Sequence, residues 1–152
     1  MNLHFKLVNP FDREKIEKLR TLPEQTDFIE SVSDCMIEAE RLNVWRPVGI
    51  YDDDLLIGFA MYGYFCNSQS EGEVWLDRFM IDGRYQGKGY GKAAARRLLE
   101  RLYQEYGKEQ IYLSVYENNG VAIRLYEQLG FQFNGKQDTK GEKIMVYTRG
   151  NN

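Results

Sequence analysis

The first third of the chain shows one strand pattern followed by two helical patterns. Residues 3–8 (LHFKLV) alternate between polar and apolar, as successive side chains of a strand do. Residues 12–22 predict a helix that is capped by Asp12 and ended by Pro23. Over residues 25–42, apolar side chains recur near helical spacing. We therefore predict that the chain begins as strand, helix, helix.

The middle of the chain is rich in β-branched and aromatic residues and predicts three strands. Segments 47–51 and 55–65 predict a hairpin that turns tightly at Asp52–Asp54. A polar loop is predicted at 66–72, and a further strand over 73–81.

The last part of the chain predicts two more helices, between strands. After a glycine-rich segment, helical patterns cover about 91–106 and 119–129 and enclose a strand over 110–116. Phe131–Phe133 and Glu142–Thr148 predict a closing hairpin around Asp138–Gly141. The order β-α-α-β-β-β-α-β-α-β-β predicts a single α/β (α+β) domain over residues 1–152.

The composition limits the chemistry that the chain can perform. Its 152 residues carry a net charge of −3, which argues against a surface that coats nucleic acid. His4 is the one histidine, and the two cysteines form no CxxC pair, so no metal site and no histidine-assisted nucleophile are expected. The N-terminus lacks the apolar core of a signal peptide, and no stretch is long enough to span a bilayer. A cytoplasmic protein with no membrane partner is therefore expected.

The segment 82–92 (DGRYQGKGYGK) predicts an anion-binding loop at the start of a helix. Gly87, Gly89 and Gly91 leave backbone N–H groups accessible at a helix N-terminus, which favours a phosphate. The sequence lacks the Ser or Thr that follows the lysine of a P-loop, and its spacing is not the GxGxxG of a dinucleotide site. The pyrophosphate of coenzyme A, or a turn without any ligand, remain as alternatives.

Two motifs in the expected order resemble one enzyme family. Residues 86–91 (QGKGYG) resemble the Q/R-x-x-G-x-G/A loop of the GNAT N-acetyltransferase superfamily. Residues 117–131 resemble that family's N-x-x-A-x-x-x-Y-x-x-x-G-F segment, and the matching positions are Asn119, Ala122, Tyr126, Gly130 and Phe131. The resemblance covers most of residues 47–149 and implies a GNAT-like domain, with a mixed sheet of about six to seven strands flanked by about four helices.

The resemblance implies acetyl-CoA as the acetyl donor, with no metal. In the family, loop amides hold the pyrophosphate and the preceding strand bonds the pantetheine. The implied cofactor-binding residues are Phe79, Met80, Ile81, Gln86, Gly87, Lys88, Gly89, Tyr90, Gly91, Lys92, Asn119, Ala122 and Tyr126. Tyr126 is also the implied general acid, because a phenol of pKa about 10 can protonate a departing thiolate whose thiol has a pKa of about 8.5.

An amine must lose a proton before it attacks a thioester, and Asp77 is the candidate base or electrostatic anchor. Strand alternation places Asp77 on one face with Trp75, Phe79 and Ile81. A salt bridge to Arg78 is not expected, because adjacent strand residues point to opposite faces. The position of Asp77 resembles that of a glutamate in some polyamine acetyltransferases.

The acceptor is predicted from an acidic stretch and from further resemblance. Residues 22–40 contain six acidic side chains and no Lys or Arg, which suits a polycation but equally fits a solvated helix face. Residues 24–31, 58–62 and 75–81 are similar to bacterial spermine/spermidine acetyltransferases. The resemblance implies a polyamine substrate and a homodimer. The substrate-binding candidates are Phe28, Glu30, Asp34, Tyr62, Trp75 and Asp77.

Two alternative functions share the cofactor motifs. One is acetylation of another amine, such as a protein N-terminus, a lysine or a small drug-like amine. The other is a non-catalytic module that binds acyl-CoA, which would keep Gln86–Gly91 but would need neither Asp77 nor Tyr126.

Overall fold

The computed structural model describes residues 1–28, 31–67 and 70–150, and its centre is a seven-stranded sheet. The strands are β1 Leu3–Leu7, β2 Trp45–Asp52, β3 Leu55–Asn67, β4 Ser70–Ile81, β5 Gln110–Val115, β6 Phe131–Gln137 and β7 Lys143–Thr148. They lie in the order β1-β2-β3-β4-β5-β7-β6, and every neighbouring pair is antiparallel except β4 with β5. The predicted mixed sheet is confirmed.

Helices cover both faces of the sheet. They are α1 Arg13–Glu17, α2 Val32–Arg41, α3 Tyr90–Tyr106 and α4 Gly120–Leu129, with 3₁₀ turns at Pro23–Phe28 and Gly83–Tyr85. The larger apolar core lies between the sheet and α3 and α4, and a smaller one lies beneath α1 and α2 on the opposite face. Within the described ranges, none of these helices combines the length and the apolar character that crossing a membrane requires.

The two N-terminal helices are shorter than the pattern predicts. The first was expected to extend to residue 22 but ends at Glu17. Beyond it, the amide of Arg20 donates to Asp82 Oδ2 at 3.1 Å, and the carbonyl of Arg20 accepts from Gly83 N at 2.8 Å. These long-range bonds use backbone groups that a continued helix would need internally, so tertiary contacts override the local propensity.

The predicted helix over 25–42 is wrong in its first part. Pro23–Phe28 forms a 3₁₀ turn, and α2 begins only after Ser31, whose backbone is extended. Ser31 Oγ accepts from the amide of Asp34 at 3.1 Å and so caps the helix. The predicted loop at 66–72 is also shorter, because β3 and β4 continue to a pairing of Asn67 with Ser70.

A bulge in β4 changes which side chains face each core. Met61 of β3 pairs with Arg78, but the next residue, Tyr62, pairs with Leu76, so Asp77 is the extra residue of a β-bulge. A one-residue insertion in a strand moves every side chain that follows it to the opposite face of the sheet. The assumption of unbroken alternation along 73–81 is therefore incorrect.

The reversal is visible in the burial of β4. Leu76 packs in the core beneath α3 and α4 before the bulge, whereas Phe79 and Ile81 pack there after it. Met80 packs in the core beneath α1 and α2. Trp75 therefore lies on the opposite face from Phe79 and Ile81, and the prediction that these side chains share a face with it is wrong.

Candidate active site

The parallel strands β4 and β5 form two sides of a cleft. In the described residues their pairing consists of Val74 with Ile111 and Trp75 with Tyr112, although both strands continue further. Beyond these pairs the two strand ends line a cavity of about 340 Å³, to which β4 contributes residues 77–81 and the end of β5 contributes residues 114–116. Two parallel strands that separate towards their carboxyl ends thus expose backbone edges to a ligand.

The glycine loop joins this cleft to the N-terminus of α3. Gly87 and Gly89 have φ of +78° and +86°, which L-residues with a Cβ rarely adopt. Both glycines are exposed, and Gly89 is the N-cap of the 17-residue α3. The free N–H groups of the first turn and the helix dipole favour an anion here, so the loop fits a pyrophosphate.

Other side chains of the glycine loop bond to a neighbouring part of the protein or are exposed to solvent. Tyr90 donates its hydroxyl to Asp52 Oδ2 at 2.6 Å and so ties the loop to the turn between β2 and β3. Lys88 and Lys92 are exposed. Both side chains lie outside the walls of the cavity.

Gln86 links the glycine loop to the segment between α1 and α2. Its Nε2 donates to the carbonyl of Ile81 and to Gln25 Oε1, both at 2.8 Å. Gln25 Nε2 donates in return to Gln86 Oε1 at 3.1 Å. Gln25 and Thr21 line the cavity beside Gln86, and neither was predicted from the sequence as a site residue. This segment is therefore fixed against the loop by reciprocal amide bonds.

Tyr126 reaches the cavity from α4. Asn119 caps the helix by accepting from the amide of Ala122 at 3.4 Å, and all three residues line the cavity. The Tyr126 ring is 9% exposed and packs edge-on against Phe131, with 5.5 Å between centroids. Burial raises the pKa of Tyr126 to about 12, so the phenol keeps its proton throughout the neutral range.

Asp77 also lines the cavity, but as an ion pair. Arg78 Nη1 lies 3.4 Å from Asp77 Oδ2 and donates to the carbonyl of Asp77 at 2.6 Å. Strand alternation predicts no such salt bridge, and that prediction is wrong. The bulge at Asp77 breaks the alternation that would have separated the two side chains.

A second carboxyl group in the cavity, Glu142, was missed by the sequence analysis. It follows the turn between β6 and β7 and is hydrogen-bonded to Asp138. Burial raises the pKa of Glu142, and the hydrogen bond to Asp138 and its negative charge raise it further. In the sequence, Glu142 stands out only as an acidic residue at the start of a predicted strand. Its position beside β5 depends on the pairing of Val115 with Lys143, which no local pattern indicates.

The cavity unites most of the residues that the two motifs predicted. Its lining includes Asp77, Phe79, Met80, Ile81, Gln86, Gly87, Gly91, Asn119, Ala122 and Tyr126. It also includes Thr21, Gln25, Arg78, Ser114, Val115, Tyr116, Val121, Leu125 and Glu142, which were not predicted as site residues. Six parts of the chain therefore meet at one cleft: the segment after α1, β4, the glycine loop leading into α3, β5, α4 and the turn before β7.

Several predicted substrate residues lie elsewhere. Tyr62 is fully buried beneath α3, where its hydroxyl donates to Glu105 Oε1 at 3.0 Å and accepts from Arg101 Nε at 3.2 Å. It does not line the cavity, because its ring packs in the core, so the structure does not bring it together with the other predicted site residues. Asp34 is exposed on α2, also outside the cavity walls.

The remaining predicted substrate residues are Trp75, Phe28 and Glu30. Trp75 stacks on Tyr112, with 5.3 Å between ring centroids, and donates to Glu73 Oε1 at 3.3 Å. Trp75 lies outside the cavity walls, and its role in substrate binding stays a prediction. Glu30 lies outside the described residues, and for Phe28 only the backbone is described.

The arrangement is suited to proton transfer next to a bound phosphate ester. A protonated phenol and two carboxyl groups line the same cavity, and an anion-binding helix N-terminus stands at its edge. None of these groups is a nucleophile that the geometry activates. The cavity therefore suits direct transfer between two bound substrates better than a covalent enzyme intermediate.

Comparisons with known proteins agree with this geometry. The model of the acetyltransferase (GNAT) family matches residues 13–131. The chain is similar to the spermine/spermidine N(1)-acetyltransferase of Bacillus subtilis (strain 168), with 46% identity over 149 residues, which cover 96% of this chain and 98% of the relative.

Solved structures share the fold at low sequence identity. The spermidine N-acetyltransferase from Vibrio cholerae, in complex with CoA and spermine, aligns with a TM-score of 0.74 and 19% identity, over 99% of this chain and 97% of that one. An aminoglycoside acetyltransferase in complex with coenzyme A aligns with a TM-score of 0.80 and 19% identity, over 97% and 95% of the two chains.

Proposed function

The chain belongs to the acetyltransferase (GNAT) family, and from that premise we propose that it transfers the acetyl group of acetyl-CoA to a primary amine of a polyamine such as spermidine or spermine. The observation that carries the proposal is the meeting of Tyr126, Asp77 and the Gln86–Gly91 loop at one cavity. The name and 46% identity of the Bacillus subtilis relative support the acceptor class.

The residues at the cleft fit acetyl-CoA as the donor substrate. Gly87, Gly89 and the first turn of α3 would hold its pyrophosphate, since their N–H groups and positive φ values leave room for a phosphate. The backbone of Phe79–Ile81 would bond the pantetheine. When bound, acetyl-CoA supplies an electrophilic thioester carbonyl and a thiolate leaving group.

Two side chains are assigned to the proton transfers. Tyr126 donates a proton to the departing sulfur, and its burial keeps that proton available. Asp77 attracts the ammonium group and assists its deprotonation, directly or through water. The attacking nitrogen forms the new amide bond as the carbon–sulfur bond breaks, so the acetyl group passes directly between the two substrates.

Two other functions remain as alternatives in this proposal. Acetylation of a different amine is compatible with the fold, because the GNAT scaffold also carries aminoglycoside acetylation in a structural neighbour. A non-catalytic acyl-CoA-binding module is less favoured, because both Asp77 and Tyr126 line the cavity although binding alone needs neither.

The proposal also covers the domain organisation, the cellular location and the oligomeric state of the protein. We propose that residues 1–152 act as one catalytic domain, in the cytoplasm, as a homodimer. Sedimentation equilibrium measures the oligomeric state and fractionation of the native host measures the location.

The acceptor class is tested by the release of CoA thiol from acetyl-CoA across a panel of amines. The panel contains spermidine, spermine, putrescine, a lysine peptide and an aminoglycoside. We expect kcat/KM for spermidine or spermine to exceed that for the lysine peptide and the aminoglycoside by about 100-fold, as two or more charge contacts would give. Preferred turnover of the aminoglycoside or the peptide would replace the acceptor, and acetyl-CoA binding without turnover of any amine would favour the binding module.

A further inference from the structure

The charges around the cavity are not balanced. Within the described residues, the charged side chains of its lining are Asp77, Arg78 and Glu142. Asp77 and Arg78 lie 3.4 Å apart, measured from Oδ2 to Nη1, so their charges largely offset each other. Glu142, which directly precedes β7, adds another carboxyl group to the cavity lining.

A second acidic side chain, that of Asp138, is hydrogen-bonded to Glu142. Asp138 Oδ1 accepts the backbone N–H groups of Lys140 and Glu142, each at 2.9 Å. Although burial alone would raise the pKa of Asp138, these bonds lower it, and a side-chain hydrogen bond from Ser114 contributes. Asp138 is therefore fixed as an anion by the turn that it closes.

The environment of Glu142 consequently favours a positive charge. Burial raises the pKa of Glu142 and Asp138 adds to this, while Arg78 and Lys140 act in the opposite direction. A hydrogen bond between two carboxyl groups needs a proton, and the raised pKa of Glu142 and the lowered pKa of Asp138 place it on Glu142, so the pair carries one negative charge. A place that stabilises a proton in this way also stabilises an ammonium group.

We propose that Glu142 is a specificity-determining residue that binds a second, non-reacting ammonium group of the acceptor. The inference rests on the proposed function and deepens it. An acceptor with two amino groups can direct one towards Tyr126 on α4 and place the other on Glu142, because both side chains line the same cavity from different elements. A monoamine satisfies only the first of these positions, so Glu142 makes the site select diamines and polyamines.

The test compares Glu142→Gln with wild type on two four-carbon amines, putrescine and butylamine. Glutamine cannot release a proton to become a carboxylate when an ammonium group binds, yet its amide can still donate to Asp138, so the turn keeps its hydrogen bond. The matched control is Glu109→Gln, which removes an exposed carboxylate outside the cavity walls. The measured quantity is the ratio of kcat/KM for putrescine to kcat/KM for butylamine.

We expect Glu142→Gln to lower this ratio by about tenfold or more, the effect of losing one close charge pair. Glu109→Gln should leave the ratio within about twofold. An unchanged ratio in Glu142→Gln, or an equal loss with both amines, would overturn the proposal. Either result would show that Glu142 does not interact with the second ammonium group of the acceptor.

The proposed function can fail separately from this inference. If the wild-type protein acetylates neither amine, the proposed acceptor class is wrong for these probes. Calorimetric titration of spermidine into the CoA-bound protein then decides the role of Glu142. Binding that is about tenfold weaker in Glu142→Gln, but not in Glu109→Gln, would support it, and equal binding in all three proteins would overturn it.

Discussion

Replacement of Tyr126 by phenylalanine is expected to lower kcat for acetyl transfer by about 100-fold or more, the contribution typical of a positioned general acid. The affinity for acetyl-CoA should stay within about twofold, because the ring keeps its edge-on contact with Phe131. Steady-state kinetics and calorimetric titration with CoA measure the two quantities. The matched control is Tyr103→Phe, which removes a phenol on α3 outside the cavity walls.

The pH dependence of the wild-type rate gives a second check on Tyr126. An acid acts in its protonated form, and with a pKa of about 12 it loses that form only above the range in which the enzyme is assayed. The plot of kcat/KM against pH should therefore rise towards the pKa of the amine, about 10, with no falling limb below that pH. A full rate in Tyr126→Phe would contradict the assignment as general acid. A fall near pH 10 that this variant abolishes would contradict the raised pKa of the phenol.

Replacement of Gly89 by alanine is expected to weaken acetyl-CoA binding by about tenfold or more. Gly89 has φ +86°, where an L-residue is strained by about 1–2 kcal/mol, so alanine displaces the backbone that presents N–H groups at the start of α3. A steric clash is not the cause, because the nearest atom to an added Cβ is Met1 Cε at 3.7 Å. Calorimetric titration with CoA measures the loss.

Gly107→Ala is the matched control for Gly89→Ala. Gly107 has φ +67° and ends the same helix at its other end, so alanine causes a similar strain away from the phosphate site. Both variants should melt several degrees lower, by about 2–4 °C for each kcal/mol in a chain of this size. Only Gly89→Ala should lose affinity for CoA, and an equal loss in both variants would show that general destabilisation is responsible.

The parts of the site that the sequence predicted are those encoded by a short continuous segment. The Gln86–Gly91 loop and the span from Asn119 to Tyr126 each carry their own geometry, through glycines at positive φ and through a helix cap. Local spacing is sufficient to place such residues, because the strand, loop and helix are adjacent in the chain.

The residues that were misplaced or missed depend on long-range pairing. Trp75 was assigned to the wrong face because the bulge at Asp77 arises from the register between β3 and β4, which no local pattern reveals. Tyr62 was assigned to the substrate although its hydroxyl is satisfied by Glu105 and Arg101 beneath α3. Glu142 was missed because the pairing of β5 with β7 brings it to the cleft.

The same explanation applies to the helix ends. The apolar spacing over 12–22 is compatible with a helix, but the contacts of Arg20 with Asp82 and Gly83 stabilise a different backbone. The capping side chain of Ser31 then starts α2 within the segment that was predicted as continuous helix. Both differences bring the segment with Thr21 and Gln25 to the glycine loop, and so they belong to the construction of the site.

The most direct test of the account is to incubate the purified protein with acetyl-CoA and spermidine and to quantify both products by mass spectrometry. The account predicts one acetylated spermidine for each CoA released, with neither product formed when spermidine or acetyl-CoA is omitted. Release of CoA without acetylated amine would show hydrolysis instead of transfer. Acetyl-CoA binding without either product, for spermidine and for the other polyamines, would contradict the proposed function itself.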